Sequence, residues 1–263
     1  MTWPRVALAL CSLASAGACD VAPIAFRDAP RLVATSAIAG DRGFAELTAG
    51  EPILLWFDRP LWPRSINRAT ITVQSGGVSL TPRLRYEPVQ HAVRVLIDEA
   101  EVRADLEYEL SVRGGVTAWD GAVASGQATF RLRFVRRTPV ASRSVSFRRE
   151  VAPLLQERCA STACHGGAQP AMGVDLSSPE AIVRTTVAAP SRLWSSAAPG
   201  GEYYWAGMAL VERGVPGESF LLYKLLGDGP MRGAQMPRGA APLSAADLQR
   251  VSDWIADGAV DDR

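Results

Sequence analysis

Tyr108-Glu109-Leu110-Ser111-Val112, followed by the turn pair Gly114-Gly115, is the stretch on which the fold of the first half of the chain turns. Tyr108, Leu110 and Val112 fall on one side of an extended backbone, and Glu107, Glu109, Ser111 and Arg113 on the other. That two-residue period belongs to a strand with one face buried. Downstream, Phe130, Leu132 and Phe134 alternate with Arg131 and Arg133 in the same way over 129–134. Upstream, β-type runs occur at 32–36, 44–48, 53–58, 70–74, 78–86 and 92–97, with Gly76-Gly77 and Asp120-Gly121 as further turn signals. Seven or eight short strands over 30–136 predict an all-β sandwich.

Composition narrows the function. The 263 residues carry 28 basic and 27 acidic groups, a net charge of +1, and no run of like charge, so there is no electrostatic footprint for nucleic acid. Lys224 is the only lysine. Metal-capable side chains are scarce: Cys11, Cys19, Cys159, Cys164, His91 and His165. No cysteine stands between Cys19 and Cys159, so the sandwich must fold by core burial without a disulfide framework. His91 reads as part of a strand with Val89, Val93 and Val95, and with no second ligand near it in sequence it is given no role.

Three blocks carry a resemblance for this first half. They are Pro30-Arg31-Leu32-Val33, the run from Ile53 through Trp56-Phe57-Asp58-Arg59-Pro60 to Leu61, and Tyr108 to Val112 with Gly115-Val116 and Asp120-Gly121 before the Phe130 strand. Together they resemble the bacterial Ig-like domain of surface-layer and adhesion proteins. The resemblance implies a β-sandwich that serves as a spacer or docking module and brings no catalytic residues.

At the N-terminus, Arg5 precedes an apolar stretch over 6–16, of signal-peptide length and too short to span a bilayer. Ala16-Gly17-Ala18-Cys19 resembles a bacterial lipobox. The resemblance implies a signal over 1–18, cleavage before Cys19, lipid on Cys19 and a tether over 19–29, with the mature chain held on a membrane surface by acyl chains. The alternative is an ordinary signal peptide that leaves Cys19 as a free thiol.

Residues 137–145, rich in Arg and Ser with one Pro, read as a linker, and from 146 the pattern turns helical. Ser146 is placed to cap a helix on which Phe147, Val151, Leu154 and Leu155 share a face. At its end stands Cys159-Ala160-Ser161-Thr162-Ala163-Cys164-His165-Gly166-Gly167. Two thiols can bind the two vinyl groups of a haem c, and a histidine next to the second can reach the iron. The common spacing has two residues between the cysteines; here there are four, and longer segments of this kind are known.

A second axial ligand must come from Met172, Met208, Met231 or Met236, since His165 is the only histidine of this region. Met236 is preferred, because Gln235-Met236-Pro237 forms a turn-like segment just before a strong helix that opens at Ser244 with Asp247 three residues on. Met172 is the second choice. Leu248, Val251, Trp254 and Ile255 form the buried face of that last helix, Gly258 ends it, and a further helix is expected over 220–226.

This order of elements resembles the single-haem cytochrome c-like domains of exported bacterial proteins: helix, CxnCH, the helix around Phe220-Leu221-Leu222-Tyr223-Lys224, the Met236-Pro237 loop, and a terminal helix ending Trp254-Ile255-Ala256-Asp257-Gly258-Ala259. The resemblance implies a mainly α haem domain over 146–263, with Cys159 and Cys164 as covalent anchors, His165 as proximal ligand and Met236 as distal ligand. The whole is then a multidomain chain, an all-β Ig-like sandwich followed by a cytochrome c-like domain. With both axial positions filled it is an electron carrier rather than a catalyst. Its partners are a membrane, through lipid, and a redox protein, in the cell envelope. Two other readings stay open: a non-redox surface, adhesion or scaffold lipoprotein in which Cys159 and Cys164 form a disulfide, and a sensor in which CO or NO displaces Met236. Zinc lacks the further Cys or His it would need.

Overall fold

A computed structural model describes residues 28–124, 126–136, 144–191, 208–228 and 234–262. The expected signal, Cys11, Cys19, most of the tether, most of the linker and Met231 lie outside the described residues.

Among the described residues, nine strands form the first half: β1 Leu32–Thr35, β2 Ala45–Thr48, β3 Ile53–Phe57, β4 Ile71–Ser75, β5 Val78–Ser79, β6 Arg83–Glu87, β7 Ala92–Leu96, β8 Glu107–Val112 and β9 Ala128–Val135. They make a four-stranded sheet ordered β1-β3-β7-β6 and a five-stranded sheet ordered β2-β9-β8-β4-β5. All pairings are antiparallel except β2 with β9, which run parallel with Ala45 opposite Leu132. The sheets share one core. Ile53, Leu55, Phe57, Val93 and Val95 from one side meet Ile71, Val73, Tyr108, Leu110, Leu132 and Phe134 from the other. Tyr108 meets Phe134 edge to face at 5.2 Å, so the alternating stretch does turn its apolar side inward.

Two details differ from the sequence reading. The run over 78–86 is two strands in different sheets: β5 pairs with β4 and β6 with β7, and the chain changes sheet around Pro82, whose ring removes a ladder donor. His91 is not in a strand. Pro88–Gln90 forms a 3-10 turn that places His91 in the left-handed region at φ 48°, and β7 begins only at Ala92. Val89 and His91 therefore do not share the face of Val93 and Val95.

The second half is helical. Ser146 caps a wide turn, Phe147–Val151, through its side chain and leads into α1, Ala152–Cys159, with Pro153 in the first turn, where a missing N–H is harmless. α2, Pro179–Thr186, lies in the stretch between the CxnCH segment and Phe220 and is capped by Ser178. α3 is Phe220–Leu226 and α4 is Ala245–Ala256, the latter capped by Ser244, whose Oγ accepts from the Asp247 N–H at 3.1 Å. Trp254 of α4 stacks on Phe147, 4.9 Å between centroids and 18° between planes. Around this pair a second core gathers Val151, Leu155, Ile182, Leu222, Leu225, Val251 and Ile255.

The expected spacer is not separate from the helices. The 216–218 turn covers the free edge of β6, where a Cβ on Gly217 would stand 3.0 Å from both Cβ and the carbonyl oxygen of Tyr86, so only glycine fits without a shift. Val89 packs into the helical core. Gln90 donates to Gln249 at 2.9 Å, His91 Nε2 lies 3.1 Å from the Asp228 carboxylate, and the Ser252 hydroxyl meets Glu87 at 3.3 Å. Trp119, in the loop before β9, joins Phe220 and Tyr223 of α3 in a third buried cluster.

Candidate functional site

Between α1, α2, α3 and the segment around Met236 lies a cavity of ≈ 340 Å³, within the size range of small-molecule and cofactor sites. Its walls are largely apolar, with Leu155, Leu176, Leu210, Phe220, Leu221 and Leu225 among them. Cys159, His165, Met172 and Met236 all line it. Three of the residues singled out in the sequence, and the second-choice methionine, are thus brought to one space.

Local backbone geometry puts them there. α1 ends at Cys159, and the chain folds back at once: the N–H of Cys164 donates to Ser161 O at 2.9 Å, His165 N–H to Cys159 O at 3.1 Å and Gly166 N–H to Ser161 O at 3.0 Å. This fold-back needs glycine at 166, because a Cβ there would stand 2.2 Å from the Ala160 carbonyl oxygen. The far side is pinned by Ala171 N–H to Cys164 O at 2.8 Å and Leu176 N–H to His165 O at 2.7 Å.

His165 Nδ1 lies 3.2 Å from the Val174 carbonyl oxygen. A carbonyl only accepts, so this contact is satisfied by the tautomer with the proton on Nδ1, which leaves the Nε2 lone pair for a ligand. The two thiols differ. Cys159 is buried against the cavity and burial pushes its thiol up to about 11, whereas Cys164 is exposed and does not line the cavity. Both are free thiols here.

Met236 is half-buried, packs on the helical core and follows Gln235 in a segment held against α3; its bond to Pro237 is cis. Its N–H donates to Lys224 O at 2.8 Å. Met172 is 50% exposed and sits at φ 56° in the 171–173 turn. Met208 packs on the Trp119 cluster instead of the cavity. Among the described residues, no group of three or more His, Cys, Asp or Glu could hold a metal ion, and no helix is long and apolar enough to cross a membrane.

Sequence reasoning missed the polar part of the wall. Arg184 and Thr185 come from α2, which gave no recognisable motif. Lys224 did carry a signal, as the single lysine of an arginine-rich chain, set in an apolar helix. Its side chain is buried, desolvation lowers its pKa, and Nζ donates to Ala234 O at 2.7 Å. The set as a whole offers a thiol, an imidazole nitrogen and a thioether around an apolar space, donor types suited to a soft or borderline metal.

No family model matches the chain, and no curated protein matches it. Among solved structures, "Crystal structure of the S-layer protein rSbsC(31-844)" is similar at 10% identity over 43% of this chain and 15% of that one, with a TM-score of 0.32. "Structure of surface layer protein SbsC, domains 1-6" gives 10% identity, 44% and 15% coverage and a TM-score of 0.32. "Crystal structure of the N-terminal part of the bacterial S-layer protein SbsC" gives 13%, 46% and 26%, with a TM-score of 0.29. The chain spans 15% to 26% of those proteins, and overlap of this quality carries no argument about function. What stands is a sheet-rich chain of two β-sheets with helices packed against them.

Proposed function

We propose that the helical half binds one haem c and that the protein is an electron carrier of the cell envelope, with Cys159 and Cys164 as covalent anchors, His165 and Met236 as axial ligands, and Met172 as the alternative to Met236. The observation that carries this reading is the convergence of Cys159, His165 and Met236 on one apolar cavity, with His165 Nδ1 committed to a backbone carbonyl. A tautomer fixed in this way is how a ligating imidazole is oriented. Cys164, one residue before His165 and exposed, would have to turn inward to reach a vinyl group.

When bound, the haem supplies a one-electron change at iron. The chain's own residues do the rest. Leu155, Phe220, Leu221 and Leu225 give the site an apolar wall, which would favour the less charged state of the metal. Were His165 and Met236 both to hold the iron, no place on it would remain for a substrate, which is why a carrier is proposed and not a catalyst. The β-sandwich is proposed as the Ig-like docking half, Cys19 as the lipid-bearing residue, and the partners as a membrane and a redox protein.

The test is expression with a haem c maturation system, followed by visible spectra before and after dithionite. Reduced c-type bands on a protein whose haem stays attached in denaturant support the carrier. Their absence, with a Cys159 to Cys164 disulfide found by mass spectrometry, overturns it in favour of the non-redox surface or scaffold protein.

A further inference from the structure

Met236 reaches the cavity from a segment without regular secondary structure, and an axial ligand on such a segment needs something to hold it. Four hydrogen bonds tie this segment to the end of α3. The Met236 N–H donates to Lys224 O at 2.8 Å, and Lys224 Nζ donates back to Ala234 O at 2.7 Å. The Gln235 side-chain amide donates to Leu225 O at 2.8 Å and to Leu226 O at 3.0 Å. The last carbonyls of a helix have no partner within it, and Gln235 fills two of them from outside.

Two sequence features follow from this arrangement. Gly227 ends α3 in the left-handed region at φ 73°, and a Cβ there would stand 2.8 Å from Gln235 Cδ, so glycine makes the seat for the Gln235 amide as well as the helix stop. The other is the single lysine. A linear stem ending in a compact ammonium runs along the apolar wall and reaches the Ala234 carbonyl, where a planar guanidinium would be wider.

We propose that Lys224 and Gln235 are a two-point clamp that fixes Met236 against α3, and so are positioning residues for the distal ligand. The proposal rests on Met236 being that ligand. Its test uses the full chain with Lys224→Met, which keeps the stem, and Gln235→Leu, which keeps the bulk. First, hydrogen exchange at the Met236 amide is measured on protein with and without haem. Protection should fall at least about tenfold in either variant, the size expected for the loss of one hydrogen bond, and Gln235→Leu removes two. Protection unchanged in both variants overturns the clamp whether or not haem is present.

Second, in haem-loaded protein, both variants should keep their haem yet lose the methionine-to-iron charge-transfer band and shift to a lower midpoint potential. An unchanged band and potential at full haem content overturns the positioning role while the carrier reading stands. Wild-type protein that loads no haem overturns the ligand role of Met236, and the exchange measurement still decides whether the segment is clamped. Should Lys224→Met fail to fold, Gln235→Leu alone gives both readings.

Discussion

Trp119 of the sandwich meets Tyr223 of α3 edge to face, 5.2 Å between centroids and 88° between planes, and Trp62 meets Trp119 in turn at 4.5 Å. Tyr223 is fully buried and its hydroxyl donates to Gly217 O at 2.8 Å, inside the turn that covers β6. The aromatic cluster and that turn therefore belong to one seam. Phe220, in the same cluster, also lines the cavity, so the sandwich backs one wall of the candidate site. Trp119→Ala should cost about 3–5 kcal/mol, as large-to-small changes in buried aromatics do, and should turn a single denaturant transition into two. One unshifted transition by both fluorescence and circular dichroism would show that the seam does not couple the halves.

The two cysteines should be chemically distinguishable in haem-free protein. With its thiol at about 11, Cys159 presents only about a thousandth of its population as thiolate near pH 8, and it is buried as well. Cys164 is exposed. Brief alkylation followed by peptide mass spectrometry should modify Cys164 first, by a wide margin. Equal labelling would place Cys159 outside the cavity.

Gly166→Ala tests the fold-back that presents His165. The added methyl would stand 2.2 Å from the Ala160 carbonyl oxygen, a backbone atom, so the loop itself must move. The expected outcome is a loss of about 2 kcal/mol or more, in the range of backbone misfits, with haem incorporation falling much further than stability. A variant that loads haem like the wild type would show that the loop tolerates displacement.

Glu87 sets a pH dependence at the seam between the halves. Its Oε1 is buried with no hydrogen-bond partner, though Arg94 stands 3.7 Å away, and burial raises its carboxyl above the ordinary 4.5 against the pull of Arg94, Arg85 and Ser252; Asp253 adds to the rise. The folded chain therefore holds this proton more tightly than the unfolded one. Its contribution is full below the unfolded pKa and is lost as pH rises through the folded value. Glu87→Gln should flatten the fall in Tm across that window relative to wild type. Parallel Tm curves for the two proteins would assign the pH dependence elsewhere.

How much of this could be read from the residues varies with the kind of signal. Strands with one buried face announce themselves by period, and Tyr108, Leu110 and Val112 pointed inward as read. Period does not report which sheet a strand joins, so the split at Pro82 was not visible. The turn that removed His91 from its strand depends on Pro88 and a left-handed residue, and alternation counting is blind to both. That Cys159, His165 and Met236 share one cavity could be anticipated, because few side-chain types of this region are candidates for donors. The walls from α2 were not, since Arg184 and Thr185 acquire meaning only from what packs opposite them. The same holds for Gln235, whose partners are backbone carbonyls.

The approach of Gly217 to Tyr86 bears on how this chain could have been assembled or recombined. A covering turn in which one added methyl group would force Tyr86 to shift is fitted to a particular strand edge. Val89 is fitted likewise to the opposite core. Transplanting residues 146–262 onto another carrier would strip Phe220 and Tyr223 of their cover and leave the β6 edge open to foreign strands. The two halves are not interchangeable cassettes: replacing either one means remaking the seam along with it.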